Sequence, residues 1–135
     1  MRDIKFRGKY DFGKRWLYGD LRHIGNIVCI YSGTEANVGS TVDPATVGQF
    51  TGLKDAKGKE IYEGDILLYR LPENMIALNN SDKSVVFYGH GMFLVSHGKI
   101  EFSVNQVLGV HDDDAVVIGN VHDNPELLEE NNARD

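Results

Sequence analysis

The spacing of glycines is the feature of this sequence that most restricts its fold. Most of the 15 glycines fall at intervals of about ten residues, between short runs rich in Val, Ile, Phe and Tyr. Glycine permits tight turns, and β-branched and aromatic residues favour strands, so this spacing predicts short strands joined by turns. Only 123–130 begins like a helix, with Asn124 as its cap and Pro125 in its first position. The predicted fold is mainly β, an antiparallel meander or partly open β-barrel of short strands with a short C-terminal helix.

The first two predicted strands carry a row of basic and aromatic side chains. Residues 4–10 alternate between basic and apolar positions, and residues 15–24 place Trp and Tyr opposite Leu and Gly. We expect these runs to pair as a hairpin around a turn at 11–14. The candidate residues for nucleic-acid binding are Lys5, Arg7, Lys9, Lys14, Arg15, Trp16, Tyr18 and Arg22. β-Sheets that bind single-stranded nucleic acid combine cations with aromatic rings on which the bases stack. The alternative interpretation of these residues is a solvated basic strand face with the aromatic side chains in the core.

Later runs predict the rest of the meander. The predicted strands are at 26–31, 66–69, 84–89, 92–96, 100–110 and 115–121. Two long connections, at 32–46 and 70–83, separate some of these runs. The first lacks periodicity over its whole length, and such loops are uncommon inside compact domains and often functional, so it is a candidate binding segment.

The segment TGLKDAKGKEIYEGDIL, at 51–67, is unusually dense in Gly, Lys, Asp and Glu. Asp55 and Gly58 are predicted to form a four-residue turn, and Gly64 and Asp65 a bulge or tight bend before the next strand. The segment lacks both the Gly-Lys-Ser/Thr of a phosphate loop and the G-x-G-x-x-G spacing. We therefore expect structural turns here, with a partner-contacting surface as the alternative.

Metal and nucleophile chemistry have weak support. The metal-ligand candidates are His111, Asp112, Asp114 and His122, which would approach one another if their strands pair. The alternative for the HDDD run is an exposed hairpin turn. No G-x-S-x-G elbow occurs, and the one cysteine, Cys29, lies in an apolar run, so a disulfide framework and a cysteine-based metal site are excluded. We expect no enzyme activity and no cofactor.

Length and charge restrict the organisation and the partners of the chain. A chain of 135 residues fits a single domain at 1–135, with a frayed tail at about 129–135. The net charge is −6, but residues 1–70 sum to +2 and residues 71–135 to −8. An anionic partner would therefore meet the N-terminal strands. No apolar run is long enough to span a membrane, so the cytoplasm is the expected location, and exposed strand edges would permit a homo-oligomer.

Four segments, in this order, resemble the YopX family of phage and prophage proteins. They are IKFRGK at 4–9, WLYGDL at 16–21, VGQFTGLKDAKGKEIYEGDIL at 47–67 and VIGNVHDNPELL at 117–128. The resemblance implies a small, largely β, cytoplasmic protein of bacteriophages or of prophages in lysogenic bacteria. It implies no activity, because the function of the family is unknown, and it supplies no catalytic residues.

Three functional hypotheses follow. The first is a non-enzymatic phage accessory protein that binds a macromolecular partner, expected to be a protein, through the 32–46 loop or the acidic C-terminal half. The second is nucleic-acid binding by the basic and aromatic N-terminal strands. The third is a hydrolase or a metal-dependent enzyme.

Overall fold

The computed structural model describes residues 3–12, 14–32, 39–70, 81–97, 99–108 and 115–128. The sequence predicts one domain, and the contacts of the structure divide the chain into two compact units, Met1–Gly52 and Leu53–Asp135. Both units are built from antiparallel strands, and the described sheets do not close into a barrel. The prediction of a mainly β, antiparallel fold is therefore confirmed. The predicted frayed tail at 129–135 lies outside the described residues.

The first unit consists of a meander to which one further strand is added. Its elements are β1 (Phe6–Lys9), β2 (Trp16–Ile24), β3 (Ile27–Tyr31), β4 (Gly39–Thr41), the 3-10 turn Pro44–Thr46 and β5 (Gly48–Lys54). The strands lie in the order β4-β3-β2-β1-β5, so β5 pairs on the other side of β1 from β2. The last two residues of β5, Leu53 and Lys54, belong to the second unit.

Alternation in the strands sorts side chains onto the two faces of the first sheet. β1 and β2 pair with Phe6 opposite Gly19, as the predicted hairpin requires. The apolar face forms a core in which three residues are buried and four pack against them: Val28, Ile30 and Val42, then Phe6, Leu17, Leu21 and Val47. Gly8 lets the strands approach closely, because an added Cβ would lie 2.8 Å from Cγ2 of Val42.

The predicted loop at 32–46 contains regular structure in its described part. Residues 33–38 lie outside the described residues, but β4 follows them and pairs with β3. Asp43 then caps the 3-10 turn, since its side chain accepts the N–H of Ala45 at 3.0 Å. The prediction of a structureless loop is wrong for 39–46, because a strand of Gly, Ser and Thr has no apolar side chain to reveal it.

The described part of the second unit contains two three-stranded sheets. Its elements are β6 (Glu60–Tyr62), β7 (Asp65–Arg70), β8 (Ser81–Val85), β9 (Phe87–Gly89), β10 (Met92–His97), β11 (Ile100–Ser103), α1 (Val104–Leu108) and β12 (Val116–Asn120). One sheet has the order β12-β7-β8 and the other β11-β10-β9. The core cluster consists of Ile61, Leu67, Tyr69, Val86, Val95, Phe102, Val104, Val107 and Ala115. Of the predicted 70–83 connection, residues 71–80 lie outside the described residues and the rest belongs to β7 and β8.

A helix replaces the second half of one predicted strand. The run 100–110 forms β11 as far as Ser103, and the chain then turns into α1. Val104 and Val107 are fully buried and lie three residues apart, on one side of the helix. The side chain of Ser103 accepts the N–H of Gln106 at 3.0 Å and caps the helix. Val104 also continues the strand alternation by one position, which explains why the sequence pattern concealed the boundary.

The Asp55 carboxylate organises the turn between β5 and β6. Its Oδ1 accepts the backbone N–H groups of Lys57 at 2.8 Å and Lys59 at 2.9 Å. Its Oδ2 accepts the N–H of Val117 in β12 at 2.9 Å. Gly58, in the same turn, has a φ of +83°, which glycine adopts at little cost. The turn therefore also anchors a strand 62 residues further along the chain.

A second glycine and carboxylate shape the bend before β7. Gly64 has a φ of +89°. The buried Asp65 accepts the N–H of Tyr62 through Oδ2 at 2.7 Å. Gly64 donates its N–H to the carbonyl of Val86 and accepts the N–H of Val121. Backbone hydrogen bonds therefore fix this bend from both sides.

Two asparagines hold the chain after β12. Asn120 Oδ1 accepts the N–H groups of His122 at 3.0 Å and Asp123 at 2.9 Å. The side chain of Asn124 binds the same residue, because its Oδ1 accepts the backbone N–H of Asn120 at 3.2 Å. A helical turn follows at 126–128, within the predicted C-terminal helix. Among the described elements, no helix is long and apolar enough to cross a membrane.

Replacing Asp55 with Ala should lower the free energy of unfolding by about 2–4 kcal/mol, because three backbone N–H groups lose their acceptor. Lys57→Ala is the matched control, since the Lys57 side chain is exposed and only its backbone serves the turn. Urea unfolding followed by circular dichroism measures both variants. Equal losses in the two variants would show that the turn does not depend on the carboxylate.

The stabilisation by Asp55 should depend on pH. Burial raises the pKa of the Asp55 carboxyl, but the hydrogen bonds from Val117, Lys59 and Lys57 and the charge of Lys59 outweigh burial and hold the pKa below its ordinary value. A lowered folded-state pKa stabilises the fold above the unfolded value of about 4, and this contribution is lost as the pH falls through the folded-state pKa. The difference in unfolding free energy between wild type and Asp55→Asn should therefore shrink below about pH 4. Urea titrations at several pH values test this, and a constant difference would contradict it.

Candidate functional site

The structure brings most of the predicted basic and aromatic residues onto one face of the first sheet. Arg7 lies opposite Tyr18 and Lys9 opposite Trp16 across the β1–β2 hairpin. Arg22 shares this face by alternation along β2. The face opposite the apolar core therefore carries both cations and rings.

The cations of this face stack on its rings. From the charged atom to the ring centroid, the contacts are Lys5 Nζ to Phe50 at 5.0 Å, Arg7 Cζ to Trp16 at 4.6 Å, Lys9 Nζ to Trp16 at 5.7 Å and Arg22 Cζ to Tyr31 at 4.4 Å. Each such contact is worth about 0.5–2 kcal/mol and holds both partners in place. Two cations therefore share the ring of Trp16.

Arg7 belongs to this stack and is not solvated. It is only 4% exposed, whereas an arginine on an open strand face is ordinarily in water. The bases of single-stranded nucleic acid would have to stack on aromatic rings that the protein's own cations already contact. This competition makes the central part of the face a poor platform for nucleic acid.

The remaining predicted cations, Lys14 and Arg15, are exposed at the β1–β2 connection. Arg15 Cζ lies 5.3 Å from the ring of Tyr10, and Lys14 has a φ of +54°, which is uncommon for a residue other than glycine. Phe12 is 82% exposed and meets Tyr10 edge-on, with 5.7 Å between ring centroids. Of the predicted nucleic-acid residues, Lys14 and Arg15 at this connection and Tyr18 and Arg22 on the sheet face are exposed to solvent.

The predicted metal ligands lie mostly beyond the described residues. His111, Asp112 and Asp114 fall outside them, and His122 is exposed. The Asn120 side chain accepts the backbone N–H of His122, which is a turn contact. Within the described segments, no group of three His, Cys, Asp or Glu side chains is placed to hold a metal ion.

Tyr69 is a buried titratable group, but its position is structural. Burial, then the negative charge of Asp82 and a hydrogen bond to it, raise the pKa of the Tyr69 hydroxyl above its ordinary range. The hydroxyl donates to the carbonyl of Ser96 at 3.1 Å, and Ser84 Oγ accepts the N–H of Ser96 at 3.0 Å. These bonds join β7 and β8 to β10. The Tyr69 hydroxyl therefore serves the packing of these strands.

The sequence patterns did not reveal an exposed apolar pair at the end of the β2–β3 hairpin. Ile24 and Ile27 lie directly opposite each other and are 54% and 51% exposed. Gly25 and Asn26 connect them, and Gly25 has a φ of +62°, as a two-residue hairpin turn with glycine first requires. Two isoleucines that flank a Gly-Asn turn are the sequence signal for this pair.

The same face of the hairpin carries further side chains beside this pair. We define this hairpin surface as Tyr18, Asp20, Arg22, Ile24, Ile27 and Tyr31. Register pairs from Asp20–Tyr31 to Ile24–Ile27 hold the two strands together. Regular backbone therefore presents these side chains, and Arg22 lies over the half-buried Tyr31.

Among the described residues of the second unit, the exposed apolar side chains do not form a comparable pair. Tyr88 and Met92 lie on opposite faces of the β9–β10 hairpin, since Tyr88 is opposite Phe93 and Met92 is opposite Gly89. Tyr88 also meets Phe93 edge-on, with 5.2 Å between ring centroids. Single exposed apolar side chains are ordinary on protein surfaces. The hairpin surface is therefore the stronger candidate site.

Comparison with known proteins identifies a family and a structural relative. A family model described as "YopX protein" matches residues 4–129. The structure is similar to the crystal structure of protein EF1440 from Enterococcus faecalis, with a TM-score of 0.58 and 26% sequence identity. The alignment covers 95% of this chain and 99% of that one. Among curated proteins, no significant match was found.

Arg7→Ala should lower the free energy of unfolding by about 1–3 kcal/mol, because it removes a buried guanidinium stacked on Trp16. Lys14→Ala is the control, since Lys14 is exposed, and its effect should stay within about 0.5 kcal/mol. Trp16 is the only tryptophan of the chain, so its fluorescence reports both the unfolding and the loss of the stack. Unchanged stability and emission in Arg7→Ala would show that the stack contributes nothing.

Proposed function

This chain is a member of the YopX protein family, as its sequence motifs predicted, and on that premise we propose that it binds a protein partner through the hairpin surface. In this proposal it is a non-enzymatic accessory protein of a bacteriophage or prophage, in the cytoplasm of an infected or lysogenic bacterium. Family membership by itself brings no catalytic residues to the chain. The observation that carries the proposal is the exposed isoleucine pair.

Ile24 and Ile27 expose apolar surface to water, which is unfavourable, and a partner that covers this surface gains its burial energy. Fully burying one isoleucine side chain is worth about 1.5–3 kcal/mol, so covering the exposed half of both is worth about 1.5–3 kcal/mol in total. Because the two side chains are direct cross-strand neighbours, one apolar group of a partner can cover both. Scattered single residues would not supply this combined gain.

The neighbouring side chains are of the types that carry binding energy in protein interfaces. Tyrosine and arginine are enriched at interface centres, and the hairpin surface supplies Tyr18, Tyr31 and Arg22 beside the isoleucines. The stack of Arg22 on Tyr31 and the paired backbone of β2 and β3 order this surface in advance. Binding therefore loses less conformational entropy than binding by an unstructured loop.

A photo-crosslinking amino acid in place of Ile24 should form an adduct with a partner protein in cells of the bacterium that carries the gene. The same amino acid in place of Ala45, an exposed residue of the same unit outside the hairpin surface, is the matched control and should form none. Ile27→Asp should abolish the adduct at position 24, because burying a carboxylate against an apolar group is costly. Equal adducts at both positions, or none at position 24, would contradict the proposal.

Nucleic-acid binding at the β1–β2 connection is the second candidate function. Residues 1–52 carry seven basic and five acidic side chains, although the whole chain is acidic. The exposed Phe12, with Lys14 and Arg15 beside it, combines a ring with cations in the way that single-strand binders do. The specific support is therefore one exposed aromatic turn rather than the whole sheet face.

Labelled single-stranded and duplex oligonucleotides at low salt separate the two candidate functions. Under the protein-binding proposal, fluorescence anisotropy should not change up to tens of micromolar protein, roughly where nonspecific electrostatic binding would be visible. Lys14→Glu and Arg15→Glu are the informative variants, because substitution of the buried Arg7 would also alter folding. Binding that these two variants abolish would replace the protein-binding proposal with the second candidate.

A further inference from the structure

We propose that the hairpin surface recognises a partner segment in which an apolar side chain meets Ile24 and Ile27 and a carboxylate, two positions away along an extended strand, meets Arg22. This inference rests on the proposed function and specifies the chemistry of the partner. Its basis is the order of side chains along β2 and the state of the Arg22 guanidinium.

The ring of Tyr31 holds the Arg22 guanidinium in place, and the guanidinium can still bind a carboxylate of a partner. Its guanidinium lies 4.4 Å from the centroid of the Tyr31 ring, and the residue is exposed. Within the described segments, no carboxylate forms an ion pair with it. Stacking uses the flat face of a guanidinium and leaves its N–H edges open, and those edges bind a carboxylate through two parallel hydrogen bonds. A lysine would supply the charge without this geometry.

The spacing of the two features determines the pattern in the partner. Arg22 and Ile24 lie two residues apart on one face of β2, which is about 6.5–7 Å along a strand. Side chains on one face of an extended partner segment repeat at the same distance. The apolar residue and the carboxylate of the partner are therefore at positions i and i+2, in either chain direction.

Asp20 disfavours a polyanion on this surface. It is exposed and lies two residues before Arg22 on the same face, so a second negative charge in register would meet another carboxylate. Arg22 is the one cation among the six residues of the hairpin surface. The next cations along the face, Arg7 and Lys9, contact the ring of Trp16. A nucleic-acid backbone or a polyacidic tract requires a row of cations. The surface instead matches a single carboxylate within an apolar segment.

Selection of a random peptide library on the intact chain tests this inference. We expect the enriched peptides to carry Asp or Glu two positions from Leu, Ile, Val or Phe. Arg22→Met should weaken binding of a selected peptide by about 10- to 100-fold, because it removes a charge-assisted pair, and Glu→Gln in the peptide should have the same effect. The affinity of Arg22→Lys for the peptide should lie between those of Arg22→Met and the wild type. Lys57→Met, at an exposed position in the second unit, is the charge-matched control and should bind as the wild type does.

The outcomes separate this inference from the proposed function. Peptides that require Ile24 but show no preference for a carboxylate would overturn the inference and leave the proposed function standing. Equal affinity of Arg22→Met and wild type for the selected peptide, with both proteins melting at the same temperature, would also overturn it. Stronger binding of polyacidic or phosphorylated peptides would overturn the single-carboxylate assignment. A library that yields no peptide dependent on Ile24 would contradict the proposed function itself.

Discussion

The Asp55 carboxylate holds together parts of the second unit that are remote in sequence. One oxygen fixes the turn between β5 and β6, and the other holds β12, 62 residues further along the chain. All three donors are backbone N–H groups, so the side chains of Lys57 and Lys59 are not needed for these bonds and remain exposed. A segment dense in charge therefore serves the fold through two buried carboxylates, Asp55 and Asp65, while its lysines stay exposed.

The first unit uses its charges differently, because its cations contact aromatic rings. Arg7 and Lys9 share Trp16, and Arg22 lies over Tyr31. The two ends of this face differ in what they offer. Towards β1 the cation–ring contacts are part of the packing, whereas at the far end of β2 the stacked Arg22 is exposed beside an apolar pair. Within one face, the hairpin end is therefore more accessible to a partner than the basic row towards β1.

The sequence predicted what alternation can encode and missed what depends on tertiary contacts. Phe6 lies on the apolar face of β1, and Leu17 lies on the face of β2 opposite Trp16, as predicted, because a half-buried strand keeps its period of two. The burial of Arg7 was not predictable, since a cation stacked on a ring has the same sequence pattern as a solvated one. Val104 suits a strand as well as a helix, and only its packing decides between them. The exposure of Ile24 and of its partner isoleucine likewise depends on tertiary packing, which periodicity does not reveal.

The sequence separation between paired strands determines the order in which the pairs become available during translation. β2 and β3 are joined by two residues, and β1 is the strand before them, so these contacts are local. The pairing of β7 with β12, in contrast, joins strands far apart in the chain, since Leu68 pairs with Val116. Local hairpins close quickly, while remote strands pair only after both have left the ribosome. The hairpin surface can therefore form while translation of the second unit is still in progress.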